Sequence, residues 1–449
     1  MVAQRLVDQL FAAPKFGTGI GLHRMAWLRA RVEAVAPDLP MDYLKVTGSN
    51  GKGSTCAMVS AMLKALGVRA GRNISPHLFR FNERITIDGA PISDGDCASG
   101  FAWVQAAVQA WQQQHGAGSF GAFEIFTGMA LYHFARNGVA HGVFEAGIGG
   151  RYDAVRMMPG SLCVLTSLDL EHTQLLGDSL ELIAYDKLDL CPPGGTLVLF
   201  PLGDHDLLRR IRHYARLKQI QLFETAVRCR VTHRVTHPTE TTFNAEIDGM
   251  VLEDLRLPLL GAHQVDNAMV AASAVTLYVN RLFPHLSQDD LKQGIRDGLA
   301  RVNWPGRATF LPGPPPVIYD VGHTPAAIQT FCATLQPMVA GRRVVLVIGV
   351  SHNKAVEEIV TALVAVADRV ICTRAHHLGA PVDRIEAAVA AARPQLPRER
   401  FETVEDAVTR AVAIARAEDM TLVFAGGLFL AVEAVVAYQG DDPRALRFF

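Results

Sequence analysis

Short apolar runs alternate with longer helix-like stretches along most of this chain. Leu44–Thr47, Gly142–Ala146, Leu162–Ser167 and Thr196–Phe200 have the length and branched apolar content of buried strands. The alternation predicts α/β architecture with a largely parallel sheet. Residues 226–258 break the pattern and read as short Thr- and Val-rich strands, an antiparallel edge. A helix is predicted over Asn267–Tyr278. Leu299–Arg307 contains a Pro-Gly break, and Leu311-Pro-Gly-Pro-Pro-Pro reads as a rigid turn. Beyond it Val317–Asp320, Val344–Gly349, Val370–Thr373 and Thr421–Gly426 form a second strand series. These features place a boundary near 301, giving domains 1–301 and 302–449 with an active site in the cleft between them. Neither half shows a short repeat or a low-complexity tract.

Composition narrows the class. The 449 residues suit two or three domains, and 49% are apolar, enough for substantial cores. A formal net charge of −1 leaves no electrostatic footprint for nucleic acid or an anionic membrane. Seven cysteines without a CxxC pair favour a reducing compartment and offer no zinc spacing. The segment Met1–Phe11 is amphipathic, unlike a secretory signal, and no apolar run is long enough to span a bilayer. A soluble cytoplasmic protein is expected.

The chemistry concentrates after the first strand. Tyr43-Leu-Lys-Val-Thr leads into Gly48-Ser-Asn-Gly-Lys-Gly-Ser-Thr55, and an apolar helix follows. Gly48, Gly51 and Gly53 let the backbone curl so that the N–H groups around Asn50 face inward, a cradle for phosphate oxygens. Lys52 adds a positive charge, and Ser54 or Thr55 offers a hydroxyl to Mg²⁺. The spacing departs from a standard Walker A motif. The alternative is a plain turn with a chance Gly-Lys pair, but the flanking strand and helix favour the phosphate reading.

Other candidates follow strand ends. Glu145, in Phe144-Glu-Ala-Gly-Ile-Gly-Gly-Arg, stands where a carboxylate beside a phosphate loop holds Mg²⁺; an internal salt bridge is the alternative. His172 lies past the next strand and is either a ligand or a structural histidine. Lys187 reads by default as a surface lysine; buried near a metal, it is a candidate for carbamylation. Ser75 and His77 lie in a polar loop, the first as a candidate metal ligand and the second as a cover over the phosphates. A surface loop is the alternative.

Together these segments resemble the folylpolyglutamate synthase/dihydrofolate synthase family of the Mur ligase superfamily. The resemblance runs in order through Phe16-Gly-Thr-Gly-Ile-Gly-Leu-His-Arg24-Met, the phosphate loop, Ser75-Pro-His-Leu with Glu83-Arg-Ile, and Phe123-Glu124-Ile-Phe-Thr. It continues through Glu145–Ala154, His172–Gly177, Gly261-Ala-His-Gln-Val-Asp-Asn267-Ala and Trp304-Pro-Gly-Arg307. It implies a P-loop-containing central domain with a mainly parallel sheet, then a smaller Rossmann-like domain. It also implies an ATP- and Mg²⁺-dependent ligase joining a carboxylate (dihydropteroate or a folyl-glutamate) to L-glutamate through an acyl phosphate. By the same resemblance, Ser54, Ser75, Glu145 and His172 are metal ligands, and Lys187 matches a carbamylated lysine. Lys52, His172 and Lys187 are the expected catalytic set. Asn267, Arg307 and Asp320 contact nucleotide. Arg24, Ser75, His77, Phe123, Glu124 and His323 line the substrate sites. A monomer is expected.

Departures cluster in the C-terminal half. Asp320-Val-Gly-His323-Thr-Pro carries Thr324 where the family has Asn. Ser351-His-Asn-Lys-Ala, Arg374-Ala-His-His and Gly426-Gly427-Leu-Phe-Leu replace other family segments, and Asp186-Lys-Leu-Asp and Asp153-Ala-Val-Arg differ in the first half. By the resemblance, they cluster where this family would bind the incoming amino acid and close the cleft, so selectivity is expected to change more than chemistry. A paralogue joining another acid and amine, or a non-catalytic ATP-binding protein, is the competing reading. His376 and His377 read as an exposed surface pair. A kinase or GTPase leaves the second domain unexplained, and a dehydrogenase needs GxGxxG after the first strand.

Overall fold

Two mainly parallel sheets carry the chain. The structure, a computed structural model, describes residues 14, 17–19, 21–116 and 118–448. The amphipathic segment Met1–Phe11, together with Phe16 and Ile20 of the Gly-Leu segment, lies outside the described residues.

The first sheet has eight strands: β1 (Asp42–Thr47), β2 (Ala70–Asn73), β3 (Ile85–Ile87), β4 (Ala90–Pro91), β5 (His141–Glu145), β6 (Leu162–Leu165), β7 (Thr196–Leu199) and β8 (Gln221–Glu224). Their order is β4-β3-β2-β5-β1-β6-β7-β8, antiparallel only at β2-β3 and β3-β4. β1 lies between β5 and β6 and is buried on both faces, which is why it reads as a nearly continuous apolar run. The crevice outside the carboxyl ends of β5, β1 and β6 is where such a sheet binds ligands. The strand predictions hold within one or two residues.

Residues 226–258 form no edge of that sheet. β9 (Cys229–Thr236), β10 (Thr241–Ile247) and β11 (Met250–Leu257) make a separate antiparallel sheet of three strands. Phe243, Ala245, Ile247, Leu252, Leu255 and Leu257 turn one face into the core around Val46 and Met58. Burial of that apolar face fixes the sheet's place. The predicted Asn267–Tyr278 helix extends over Ala262–Leu282, and its Asn267 side chain packs on Gly51 of the phosphate loop.

The second sheet has six strands, ordered β12-β13-β17-β14-β15-β16: β12 (Thr309–Leu311), β13 (Val317–Tyr319), β14 (Arg343–Ile348), β15 (Arg369–Cys372), β16 (Arg398–Arg400) and β17 (Met420–Ala425). Only β12 runs antiparallel. The rigid turn predicted at Leu311–Pro316 follows β12 directly. Each face of this sheet is covered by its own apolar cluster, one including Ile328 and Ile359 and the other Val408 and Val432. Leu78 and Phe79, from the loop after β2, pack on the second of these clusters and join the two sheets' layers. Among the described residues no helix is long and apolar enough to cross a membrane.

Candidate active site

β1 delivers the phosphate loop, and the neighbouring strand ends hold it in shape. Ser49 N–H donates to the Ser167 carbonyl at 3.0 Å, and Asn50 N–H to Ser167 Oγ at 2.7 Å. Thr166 Oγ1–H donates to the Asn50 carbonyl at 2.6 Å, and Thr47 Oγ1–H to the Gly149 carbonyl at 2.6 Å. The loop is thus bonded to the polar end of β6 and to the glycine turn after β5. Gly51 caps the helix Lys52–Ala65 at φ 85°, and a Cβ there would lie 2.5 Å from Asn267 Oδ1. Both its left-handed backbone and the buried Asn267 require glycine. Lys52 Nζ folds back to donate to the Gly48 carbonyl at 2.7 Å and the Ser49 carbonyl at 3.2 Å.

Glu145 pairs in register with Val46, two positions before Gly48, so its carboxylate emerges beside the loop. It is buried and accepts the Ser75 N–H on Oε2 at 3.1 Å. Burial raises its pKa to about 7, a rise held in check by Lys52, the Ser75 N–H, Arg307 and Arg72. A buried carboxylate poised near neutrality beside a phosphate loop suits a hard cation. Ser54 is buried on the same loop-helix junction, and the Thr55 hydroxyl is buried without a hydrogen-bond partner among the described residues. No three His, Cys, Asp or Glu side chains among the described residues gather as an all-protein cage. Mg²⁺ needs none, since it binds through one or two carboxylates, phosphate oxygens and water. The residues present fit it.

The glycine turn after Glu145 is pinned by two acids whose anchoring role the sequence did not reveal. Asp153 Oδ2 accepts the Gly147 and Ile148 N–H groups at 2.9 and 3.1 Å. Asp186 Oδ1 accepts the Gly150 N–H at 2.8 Å, so this departure from the family pattern braces the site.

Lys187 is no surface lysine. It is 1% exposed, and its Nζ lies 2.8 Å from Glu171 Oε1. Burial and then Lys52 lower its pKa, against the opposing pull of Glu171. Burial raises the Glu171 pKa, but Lys187 and Lys52 outweigh it and the net shift is downward. Glu171 is therefore an ionised carboxylate near the phosphate-loop lysine, and sequence reasoning missed it. The adjacent His172 is exposed and left-handed at φ 46°, at the start of the short helix Thr173–Leu176.

His77 sits differently from its sequence reading. It is buried, Nδ1 accepts from Arg84 Nε at 2.8 Å, and Nε2 bonds the Arg447 carbonyl at 2.7 Å. Burial and Arg84 lower its pKa to about 3, so it is neutral and ties the loop to the C-terminal segment. Both ring nitrogens are engaged within the protein, which leaves no ring N–H to cover phosphates. The loop itself is half-buried at Ser75, against the surface-loop alternative.

Arg24 and Glu124 form a buried pair, with Nε–Oε1 and Nη2–Oε2 both at 3.2 Å. Phe123 packs over Gly147, where a Cβ would lie 3.0 Å from the ring. On the far side, Asp320 accepts N–H groups from Ala308 at 2.9 Å and Gly322 at 2.7 Å. Burial raises its pKa, opposed by Arg307. Arg307 also faces Glu145 electrostatically. His323 keeps solvent contact, yet the surrounding protein and Lys354 hold its pKa down at about 4. The His376–His377 turn is fastened rather than simply exposed. Their N–H groups donate to the buried Glu433 at 2.7 and 3.1 Å, His376 pairs with Glu405 at 2.9 Å, and His377 packs on Phe429.

Known proteins share this fold. The family described as "Mur ligase, glutamate ligase domain" matches residues 306–427. The chain is 30% identical over 354 residues to dihydrofolate synthase/folylpolyglutamate synthase of Bacillus subtilis, covering 79% of this chain and 80% of that protein. Its fold matches Mycobacterium tuberculosis folylpolyglutamate synthase complexed with ADP at a TM-score of 0.87 and 26% identity, over 98% and 99% of the two chains. It matches E. coli FolC in complex with DHPP and ADP at 0.80 and 26% identity, over 98% of each. Fold and site together define an ATP-dependent carbon–nitrogen ligase of the Mur type. Within that class, the chain belongs to the folylpolyglutamate synthase/dihydrofolate synthase family.

Proposed function

We propose that this ligase joins L-glutamate to dihydropteroate or a folyl-glutamate through an acyl phosphate. One observation carries the reading: Glu145 is buried in register beside the phosphate loop and faces Lys52 and Arg307. The FolC neighbour's complex with DHPP and ADP supports an adenine nucleotide as ligand, and the name of the Bacillus subtilis relative supports a folate-type acid.

The loop N–H groups from Gly48 to Thr55 and Lys52 hold the ATP phosphates, while Asn267, Arg307 and Asp320 hold the rest of the nucleotide. Arg24, Phe123, Glu124 and Ser75 border the acid, and His323 the amino acid. An oxygen of the substrate carboxylate attacks the γ-phosphorus in line, and ADP leaves. The glutamate amine then attacks the acyl carbon, inorganic phosphate leaves, and the nitrogen loses a proton. Ser54, Ser75, Glu145 and His172 would hold Mg²⁺, which neutralises charge on the transferring phosphoryl group. Lys187, buried with a lowered pKa, is the amine that would take up carbon dioxide as a carbamate. The linker Trp304–Arg307 between the two sheets supports a division into 1–301 and 302–449.

Dihydropteroate labelled with heavy oxygen in its carboxylate tests the intermediate. With Mg-ATP and glutamate, the released inorganic phosphate should carry one labelled oxygen per amide formed. Amide product with unlabelled phosphate would contradict an acyl phosphate.

A further inference from the structure

Gly53 stands in the first turn of the helix Lys52–Ala65 with no left-handed backbone to require glycine, where alanine would favour the helix. What excludes a side chain is Trp304. A Cβ at 53 would lie 2.5 Å from Cζ2, 3.1 Å from Cε2 and 3.4 Å from Nε1 of that indole. The Arg72 guanidinium, on β2, faces the same ring with its carbon 5.2 Å from the centroid. The indole Nε1 and Arg72 Nε are both buried without a hydrogen-bond partner among the described residues. Shape and cation–ring contact, not hydrogen bonds, therefore seat the indole.

The chain beyond Trp304 is equally constrained. Gly306 lies at φ 80°, and a Cβ there would meet Val321 at 2.9 Å and Leu78 at 3.2 Å. Arg307 comes next, its Nη1 bonded to the Gly306 carbonyl at 3.0 Å and its charge felt at Glu145, Asp320 and His323. A short strap thus runs from the phosphate-loop helix to Arg307, clamped at both ends.

We infer that Trp304 is a positioning residue for nucleotide: its indole, seated on Gly53 and faced by Arg72, sets the span between the phosphate loop and Arg307. The inference rests on the nucleotide site proposed above. Emptying the seat lets the strap slide, and filling it from below pushes the strap away. Either change separates Arg307 from the loop and weakens ATP binding more than binding of the acid.

Calorimetric titration of full-length protein with Mg-ATP tests this, with a thermal melt of each variant to confirm folding. Trp304→Phe keeps a ring on Gly53 and sacrifices no hydrogen bond, so its affinity should stay within about threefold. Trp304→Leu and Gly53→Ala should each weaken binding roughly tenfold or more, as a displaced catalytic-site group does. Both should raise KM for ATP while leaving KM for the acid unchanged. The double variant should lose no more than the weaker-binding single variant, because both act on one contact. Multiplying losses in the double variant, or single variants that bind like wild type, would overturn the role of Trp304 alone. Wild-type protein that binds no Mg-ATP would instead overturn the nucleotide site itself, and this role with it. Should one single variant fail to fold, the other carries the comparison with Trp304→Phe.

Discussion

Lys187 Nζ lies 2.8 Å from Glu171 Oε1, an ion pair between a lysine 1% exposed and a glutamate 24% exposed. Burial and Lys52 make the lysine's charge costly, so Glu171 matters most when Lys187 is protonated. Glu171→Gln should therefore destabilise the fold by about 1–3 kcal/mol, since a buried ammonium would lose its counter-charge. Lys187→Ala should lose activity, and if a carbamate forms there, small carboxylates should restore part of it. A melt of the first variant and turnover of the second with and without formate check both. Full activity of Lys187→Ala would return the lysine to a packing role.

Glu145 gives a pH dependence of definite sign. Its pKa in the fold is about 7, above its ordinary value of 4.5, so the folded state holds the proton longer than the unfolded chain does. In metal-free protein this costs stability progressively as pH rises from about 4.5 to about 7, and the loss then levels off. Glu145→Gln has no proton to lose. It should be more stable than wild type above pH 7 by on the order of 3 kcal/mol, and no more stable near pH 4. The same substitution should reduce the extra stabilisation that Mg²⁺ adds to that of ATP alone in wild type. Thermal melts across pH, without ligand, with ATP and with Mg-ATP, read both effects.

Lys52 and Gly51 separate chemistry from architecture in one loop. Lys52 bonds only the loop carbonyls of Gly48 and Ser49 among the contacts described, so Lys52→Ala should leave the melt nearly unchanged. Phosphoryl transfer should fall roughly 100- to 1,000-fold or more, the scale for losing a charge-stabilising group. Gly51→Ala forces a left-handed alanine into Asn267 and should cost about 1–3 kcal/mol of stability as well as ATP binding. Both variants should therefore lose ATP turnover, while the melt falls in Gly51→Ala alone.

What was legible in the sequence follows from the range of the interactions. The strand, phosphate loop and helix at 43–59 were readable because periodicity and glycine chemistry are local, and Glu145 because it ends a strand. β12 and β16 were missed: each has three residues, and Arg398-Glu-Arg on a sheet edge looks like loop. The 226–258 strands were seen, but their separation from the main sheet depends on which core their apolar faces meet. Burial of Lys187 depends on Glu171, sixteen positions away, and the His77 contact reaches Arg447 across 370 positions. No local pattern marks either pair. Gly53 looked like one more phosphate-loop glycine, and only the position of Trp304 shows why it must lack a side chain.

Glutamate is proposed to be ligated to a pterin-bearing acid at the site around Glu145 and Lys52. The most direct test is mass spectrometry of reactions containing the purified protein, Mg-ATP, L-glutamate and either dihydropteroate or a reduced folate. An ATP-dependent product heavier than the acid by one glutamyl residue, absent with Lys52→Ala, is the predicted result. Folded, ATP-binding protein that yields no glutamyl product from either acid would contradict it.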